Sequence, residues 1–217
     1  MTADGDSLRI TEIFLSLQGE SSTVGWPTVF VRLTGCPLRC SYCDTEYAFT
    51  GGQRYSLDEI VQRVQDYSVD HVTVTGGEPL AQGSCLALLG RLADLGKVVS
   101  LETSGALDVS EVDRRVTKVM DIKTPGSGEA HRNRWENLEY IGTGDELKFV
   151  IRDRDDYQWA CEAVRSRRLN ERCEVLFSPV HAELTPCDLA DWIIADRMPV
   201  RFQLQLHKLL WGDEPGR

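Results

Sequence analysis

The chain has 217 residues, 41% hydrophobic and 27% charged, so it can bury a substantial core as one large domain or two small ones. Its formal net charge of −10 excludes a broad electrostatic surface for nucleic acid, though not a local basic pocket for a small anion. No stretch approaches the ~18 apolar residues of a membrane span, and the opening MTADGDSLRI has neither a basic nor an apolar signal region, so residence in the cytoplasm, away from membranes, is the expectation.

In chain order, β-branched runs alternate with amphipathic stretches. A first strand is expected within residues 9–17. Further strands follow at 28–33, 71–75, 98–102, 119–122, 147–151, 175–177 and 202–206. The spacing predicts helices over 57–67, 82–95, 155–168 and 186–196. Ser56 with Glu59 three residues on reads as a capping box, and Asp153 or Arg154 opens the third helix. Between 104 and 144 the helix signal weakens: DVSEVDRRV is expected to form one short helix, and TPGSGEAHRNRWENL a Gly/Pro-punctuated loop. VRSRRLNER reads as a solvated helix end. Strand–helix–strand order with short connections implies right-handed βαβ units, a parallel sheet and an α/β fold. Fewer helices than strands points to a barrel, and no repeat or linker divides residues 1–217.

Cys36, Cys40 and Cys43 lie close together in GCPLRCSYCD, with the spacing C-x3-C-x2-C and no fourth ligand in the loop. Three thiolates on one loop can hold three corners of a cubane iron–sulfur cluster and leave the fourth iron open for chemistry. A closed zinc site takes four ligands. It would need a distant residue such as His71, which keeps a strained Cys3His site as the alternative. The remaining cysteines, Cys85, Cys161, Cys173 and Cys187, form no framework and are expected to be reduced, buried small hydrophobes. One βα unit after the cysteine loop, VTVTGGEPL runs from strand to helix. Gly76 and Gly77 there allow a ligand to approach the backbone. LETSG and DIKTP also follow strands, and ligands of parallel α/β sheets gather at strand carboxyl ends.

The cysteine loop, with Tyr42 before its last thiol, and the GGEP turn resemble the radical S-adenosylmethionine superfamily. The resemblance implies a [4Fe-4S] cluster on Cys36, Cys40 and Cys43, whose open iron is chelated by the methionyl end of S-adenosylmethionine. One electron would then cleave the sulfonium to a radical that takes a substrate hydrogen. It implies cofactor contacts from Tyr42, Asp44, Gly77, Glu78, Ser104, Asp121, Ile122 and Lys123.

A closer similarity is to the 7-carboxy-7-deazaguanine synthase family. It is carried by EIFLSLQGESSTVGWPTVFVRLTGCPLRCSYCDTEYAF, TGGEP, LETSG, DIKTPGSGE, LKFVI and QLQLHKLLWG, which together span almost the whole chain. The resemblance implies an incomplete barrel of about six parallel strands with few helices. It also implies ring contraction of 6-carboxy-5,6,7,8-tetrahydropterin to 7-carboxy-7-deazaguanine with loss of ammonia, in queuosine and 7-deazapurine biosynthesis. Implied substrate contacts are Leu17, Gln18, Gly19, Glu20, Arg32 and Thr75. A carboxylate such as Glu20 suits the amidine-like N–H edge of a pterin, and a strand arginine suits a carboxylate. Thr45 is implied as a ligand of Mg2+, which keeps several waters; Glu102 and His207 are second-tier candidates. The family further implies a homodimer, an external electron donor such as flavodoxin, and a chain end (207–217) folded over the substrate. Two other readings stay open at this point: an activating enzyme for a glycyl-radical partner, and a non-catalytic iron–sulfur or zinc module.

Overall fold

The computed structural model describes residues 6–212, 214 and 216. Its nine-stranded sheet has the order β3-β1-β2-β4-β5-β6-β7-β8-β9. The strands are β1 (Ser7–Leu17), β2 (Pro27–Leu33), β3 (Gln53–Ser56), β4 (His71–Gly76), β5 (Val98–Thr103), β6 (Thr117–Asp121), β7 (Glu146–Ile151), β8 (Glu174–Pro179) and β9 (Arg201–Phe202). From β2 onward every neighbouring pair is parallel. The outer strands β1 and β3 run antiparallel at one edge. The helices are α1 (Leu57–Asp66), α2 (Cys85–Asp94), α3 (Arg154–Arg167), α4 (Pro186–Ala195) and α5 (Leu206–Trp211).

Helix starts follow from local chemistry. Ser56 accepts from the Glu59 amide while Glu59 accepts from the Ser56 amide, the reciprocal box that the sequence predicts for α1. Asp153 caps α3 through the Asp156 amide. Thr185 caps α4, with Pro186 in its first turn. Strand alternation then sorts the side chains. Val72, Val74, Val99 and Leu101 point outward into one core with α1 and α2. Leu147, Phe149, Ile151, Val175 and Phe177 form a second core with α3 and α4. Thr73, Thr75, Ser100 and Glu102 occupy the opposite, inner face, where Thr73 and Ser100 are register partners and their hydroxyls meet at 2.8 Å.

Five features differ from the pattern expected of the sequence. The short polar strand β3 carries no apolar alternation; it exists because Gln53–Ser56 pairs with the first residues of β1. The segment 202–206 is not a strand beyond Phe202. The chain leaves the sheet there so that Gln203 and Gln205 reach the loop before β2, and Leu206 starts α5. DVSEVDRRV forms turns, with Val109, Val112 and Val116 buried at a helix-like spacing. The helix predicted from 82 begins only at Cys85, because the Gln82 side chain is clamped between the backbones of Arg9 and Thr34. TPGSGEAHRNRWENL carries short 3-10 turns, as its punctuation suggests. All seven cysteines are free thiols; Cys85, Cys161 and Cys173 are buried as expected, whereas Cys187 is exposed in the first turn of α4.

Candidate active site

The inner face of the sheet opens at the strand carboxyl ends into a cavity of about 690 Å³, within the range of sites that enclose a cofactor-sized ligand. The alternation that sends Val74 and Leu101 outward sends Thr75 and Glu102 into this cavity, and on β6 it sends Asp121 inward.

Cys36, Cys40 and Cys43 line one wall and are all half-buried. Burial pushes the Cys40 thiol up to about 11 and raises Cys36 as well. Such thiols keep their protons at neutral pH unless a cation takes the charge, which is what coordination does. Among the described residues no three His, Cys, Asp or Glu side chains are gathered as ligands for one ion. All three thiols nonetheless face the same cavity. Gly77 makes the wall possible: a Cβ there would stand 2.7 Å from both the Cys36 Cβ and the Gly35 carbonyl carbon. Gly76, at φ +149°, lies as tightly against Leu33. The donor set and the glycine-lined approach both fit an iron–sulfur cluster with a ligand on its open iron.

A line of charges crosses the floor. Lys148 pairs with Glu20 and lies 3.9 Å from Asp121, its register partner on β6. Lys123 pairs with Asp121 at 3.0 Å. Burial alone would raise the Glu20 carboxyl; the Lys148 ammonium, with hydrogen bonds from Lys148 and Gln205, holds it down at about 2. Burial likewise works against the charge on Lys148, and its carboxylate neighbours more than restore it, leaving its pKa raised. Glu102 receives the Thr75 hydroxyl at 3.0 Å, and burial raises its carboxyl despite Lys148. One oxygen of Asp121, Oδ1, is buried without a partner, an acceptor left over for a ligand.

The opposite wall is the turn between β1 and β2. Leu17, Gln18, Gly19 and Glu20 all border the cavity. Gln18 donates to Thr73 at 3.0 Å. Gly19 is in tight contact with α5: a Cβ would lie 3.1 Å from the His207 ring carbon Cγ and 3.2 Å from its amide, and the Leu206 amide donates to the Gly19 carbonyl at 2.9 Å. Burial lowers the His207 pKa against the pull of Glu20 and Asp44. The Arg32 Nε–H donates to Glu12 at 2.7 Å, so its two terminal nitrogens are the ones left to grip a carboxylate. Asp44 lies 3.8 Å from Lys208, and Thr45 borders the cavity beside Cys43. Thr45 also stands at the start of the 3-10 turn Glu46–Ala48 but makes no capping bond.

Two expected residues stand apart. Glu78 is fully buried, and its carboxylate is consumed by Thr103, by the Ser104 amide and hydroxyl, and by the Leu80 amide. It holds the GGEP turn to the LETSG strand end rather than lining the cavity, and the Ser104 hydroxyl on the cavity wall is donated to it. Ile122, next after Asp121, turns outward into the second core, while its amide donates to the Lys148 carbonyl at 2.8 Å. Tyr42 borders the cavity with burial raising its phenol to about 12. Lys148 escaped the sequence reading. Its signal was there: a single lysine inside the otherwise apolar run LKFVI. From the chain end, Gly212, Glu214 and Gly216 border the cavity, while Asp213, Pro215 and Arg217 of the expected covering tail lie outside the described residues.

The sequence profile of the Radical SAM superfamily matches residues 30–122, a span that contains the cysteine loop and the GGEP and LETSG motifs. The 7-carboxy-7-deazaguanine synthase of Chlorobaculum tepidum is 45% identical over 95% of this chain and 96% of its own. The chain belongs to the 7-carboxy-7-deazaguanine synthase family. The synthase of Koribacter versatilis is also 45% identical, over 95% of this chain and 98% of its own. Among solved structures, QueE from Escherichia coli superposes with a TM-score of 0.77 at 23% identity, covering 93% of this chain and 95% of that one. The fold of this deazaguanine synthase family member is thus a mostly parallel α/β sheet with few helices, and its superfamily carries a [4Fe-4S] cluster and S-adenosylmethionine. Among the described residues no helix is long and apolar enough to cross a membrane.

Proposed function

We propose that the chain, as one catalytic domain, converts 6-carboxy-5,6,7,8-tetrahydropterin to 7-carboxy-7-deazaguanine and ammonia. The observation that carries this reading is one cavity with three free thiols on one wall and Glu20, Lys148 and Asp121 across its floor. The product and ammonia together contain all the atoms of the substrate. No net oxidant is needed, so the cofactor can be regenerated at each turnover. When bound to Cys36, Cys40 and Cys43, the cluster with S-adenosylmethionine supplies the one-electron chemistry.

The protein's residues bind and orient. The Glu20 carboxylate, fixed by Lys148, accepts from the N–H edge of a pterin, with Gln18 beside it. The Nη groups of Arg32 take the substrate carboxylate. Asp121 offers its unpartnered oxygen, and Ser104 and Tyr42 border the cofactor. His207 and Lys208 of α5, with Gly212, Glu214 and Gly216, border the same cavity, whose size suits a small substrate better than a protein loop.

Magnesium belongs to the same proposal. Thr45 would supply one oxygen ligand, the substrate and waters the rest. So do an external electron donor such as flavodoxin, a homodimer and a cytoplasmic setting that keeps the thiols reduced. The test is anaerobic turnover with S-adenosylmethionine held below the pterin concentration. Product in excess of the cofactor supplied is expected; a product yield capped by the cofactor contradicts catalytic use.

A further inference from the structure

The turn that carries Gln18 and Glu20 is held from across the barrel. Ser21, a non-glycine residue, sits at φ +67°, in the left-handed region that costs free energy unless its surroundings fix it. Gln203 supplies that fixing. Its Oε1 accepts the Ser21 amide at 2.8 Å, and its Nε2 donates to the Ser21 carbonyl at 2.8 Å. Glu146 takes the next residue: its Oε1 accepts the Ser22 amide at 2.9 Å and the Ser22 hydroxyl at 2.5 Å. Both anchors are almost wholly buried, Glu146 at 2% exposure and Gln203 at 5%, and a buried carboxylate is costly to retain without a role. Glu146 and Lys148 are alternate residues of β7 on one face. They hold alternate residues of the turn, Ser22 and Glu20. The sheet has no pairing between β1 and β9, and this turn spans that gap.

We infer that Glu146 and Gln203 are positioning residues for substrate recognition. Touching neither thiol nor cavity, they force the strained Ser21–Ser22 turn and thereby set where Glu20 meets the substrate. The inference rests on the pterin reading for its kinetic consequence alone; its structural part stands independently.

Two measurements on the reconstituted enzyme separate these parts. Hydrogen exchange of ligand-free protein should show residues 18–22 protected in the natural chain. Exchange there should rise at least ten-fold in Gln203→Leu and in Glu146→Leu, with β4 to β6 unchanged, while Glu146→Gln, which keeps an acceptor oxygen, should retain most of the protection. Kinetically, the two leucine variants should raise KM for the carboxypterin on the order of 10- to 100-fold, the scale of a small misplacement at a site. Substrate-free cleavage of S-adenosylmethionine under dithionite should be unchanged. Unaltered exchange at 18–22 overturns the inference, as does equal loss of cofactor cleavage and turnover in both variants, which marks a fold-wide role. If the natural chain cleaves cofactor but does not turn over the pterin, the proposed substrate fails, while the exchange result still decides the anchors.

Discussion

Gly77 and Cys36 come from different βα connections and meet at a distance no side chain could share: a Cβ on Gly77 would fall 2.7 Å from that of Cys36. The GGEP turn and the cysteine loop are thereby one surface. Gly77→Ala is expected to push the loop outward and cut bound iron and cofactor cleavage by at least ten-fold, while Gly83→Ala, at a position with open space, changes neither. Iron and sulfide content after reconstitution checks this. A full complement in Gly77→Ala contradicts the close approach.

Lys148 is the hinge of the floor charges. Lys148→Met strands the Glu20 carboxylate, and removing one member of a buried pair costs about 3–5 kcal/mol. Denaturant titration should show that loss, and Glu20→Gln added to it should recover a part. Independent, additive effects would contradict the pairing.

Much of this was legible in the sequence. The six long parallel strands announce themselves as apolar runs, and the rim motifs fall where a parallel sheet gathers ligands. Less legible were features decided by distant partners. The β3 strand depends on β1, not on its own QRYS, and the 202–206 segment gives up strand pairing so that two glutamines can reach Ser21 and Glu20. Asp121 and Ile122 are adjacent in the sequence, yet the pleat separates them into site and core. Glu78 sits in the most suggestive motif of all, and its carboxylate is spent on Thr103 and Ser104.

The pH dependence has a defined sign. Glu20 is held at about 2, below its ordinary 4.5. The unfolded chain therefore takes up that proton first. The contribution of the pair is whole above about pH 4.5 and drains away as pH falls toward 2. Stability measured across this window should fall with a shallower slope in Glu20→Gln than in the natural chain. Identical slopes would mean that Lys148 does not depress this group.

Magnesium tests the wall beside Cys43. Added Mg2+ should raise turnover of chelator-treated enzyme several-fold, and Thr45→Val should abolish that response while leaving cofactor cleavage without substrate intact. An equal Mg2+ response in Thr45→Val would remove Thr45 from the metal.

The most direct measurement is an anaerobic reaction of reconstituted protein with S-adenosylmethionine, dithionite, Mg2+ and 6-carboxytetrahydropterin, read by mass spectrometry beside Cys43→Ala. The natural chain is expected to yield 7-carboxy-7-deazaguanine and the variant none. Cofactor cleavage to 5′-deoxyadenosine with no deazaguanine from the natural chain would contradict it, retaining the radical chemistry and discarding the pterin as substrate.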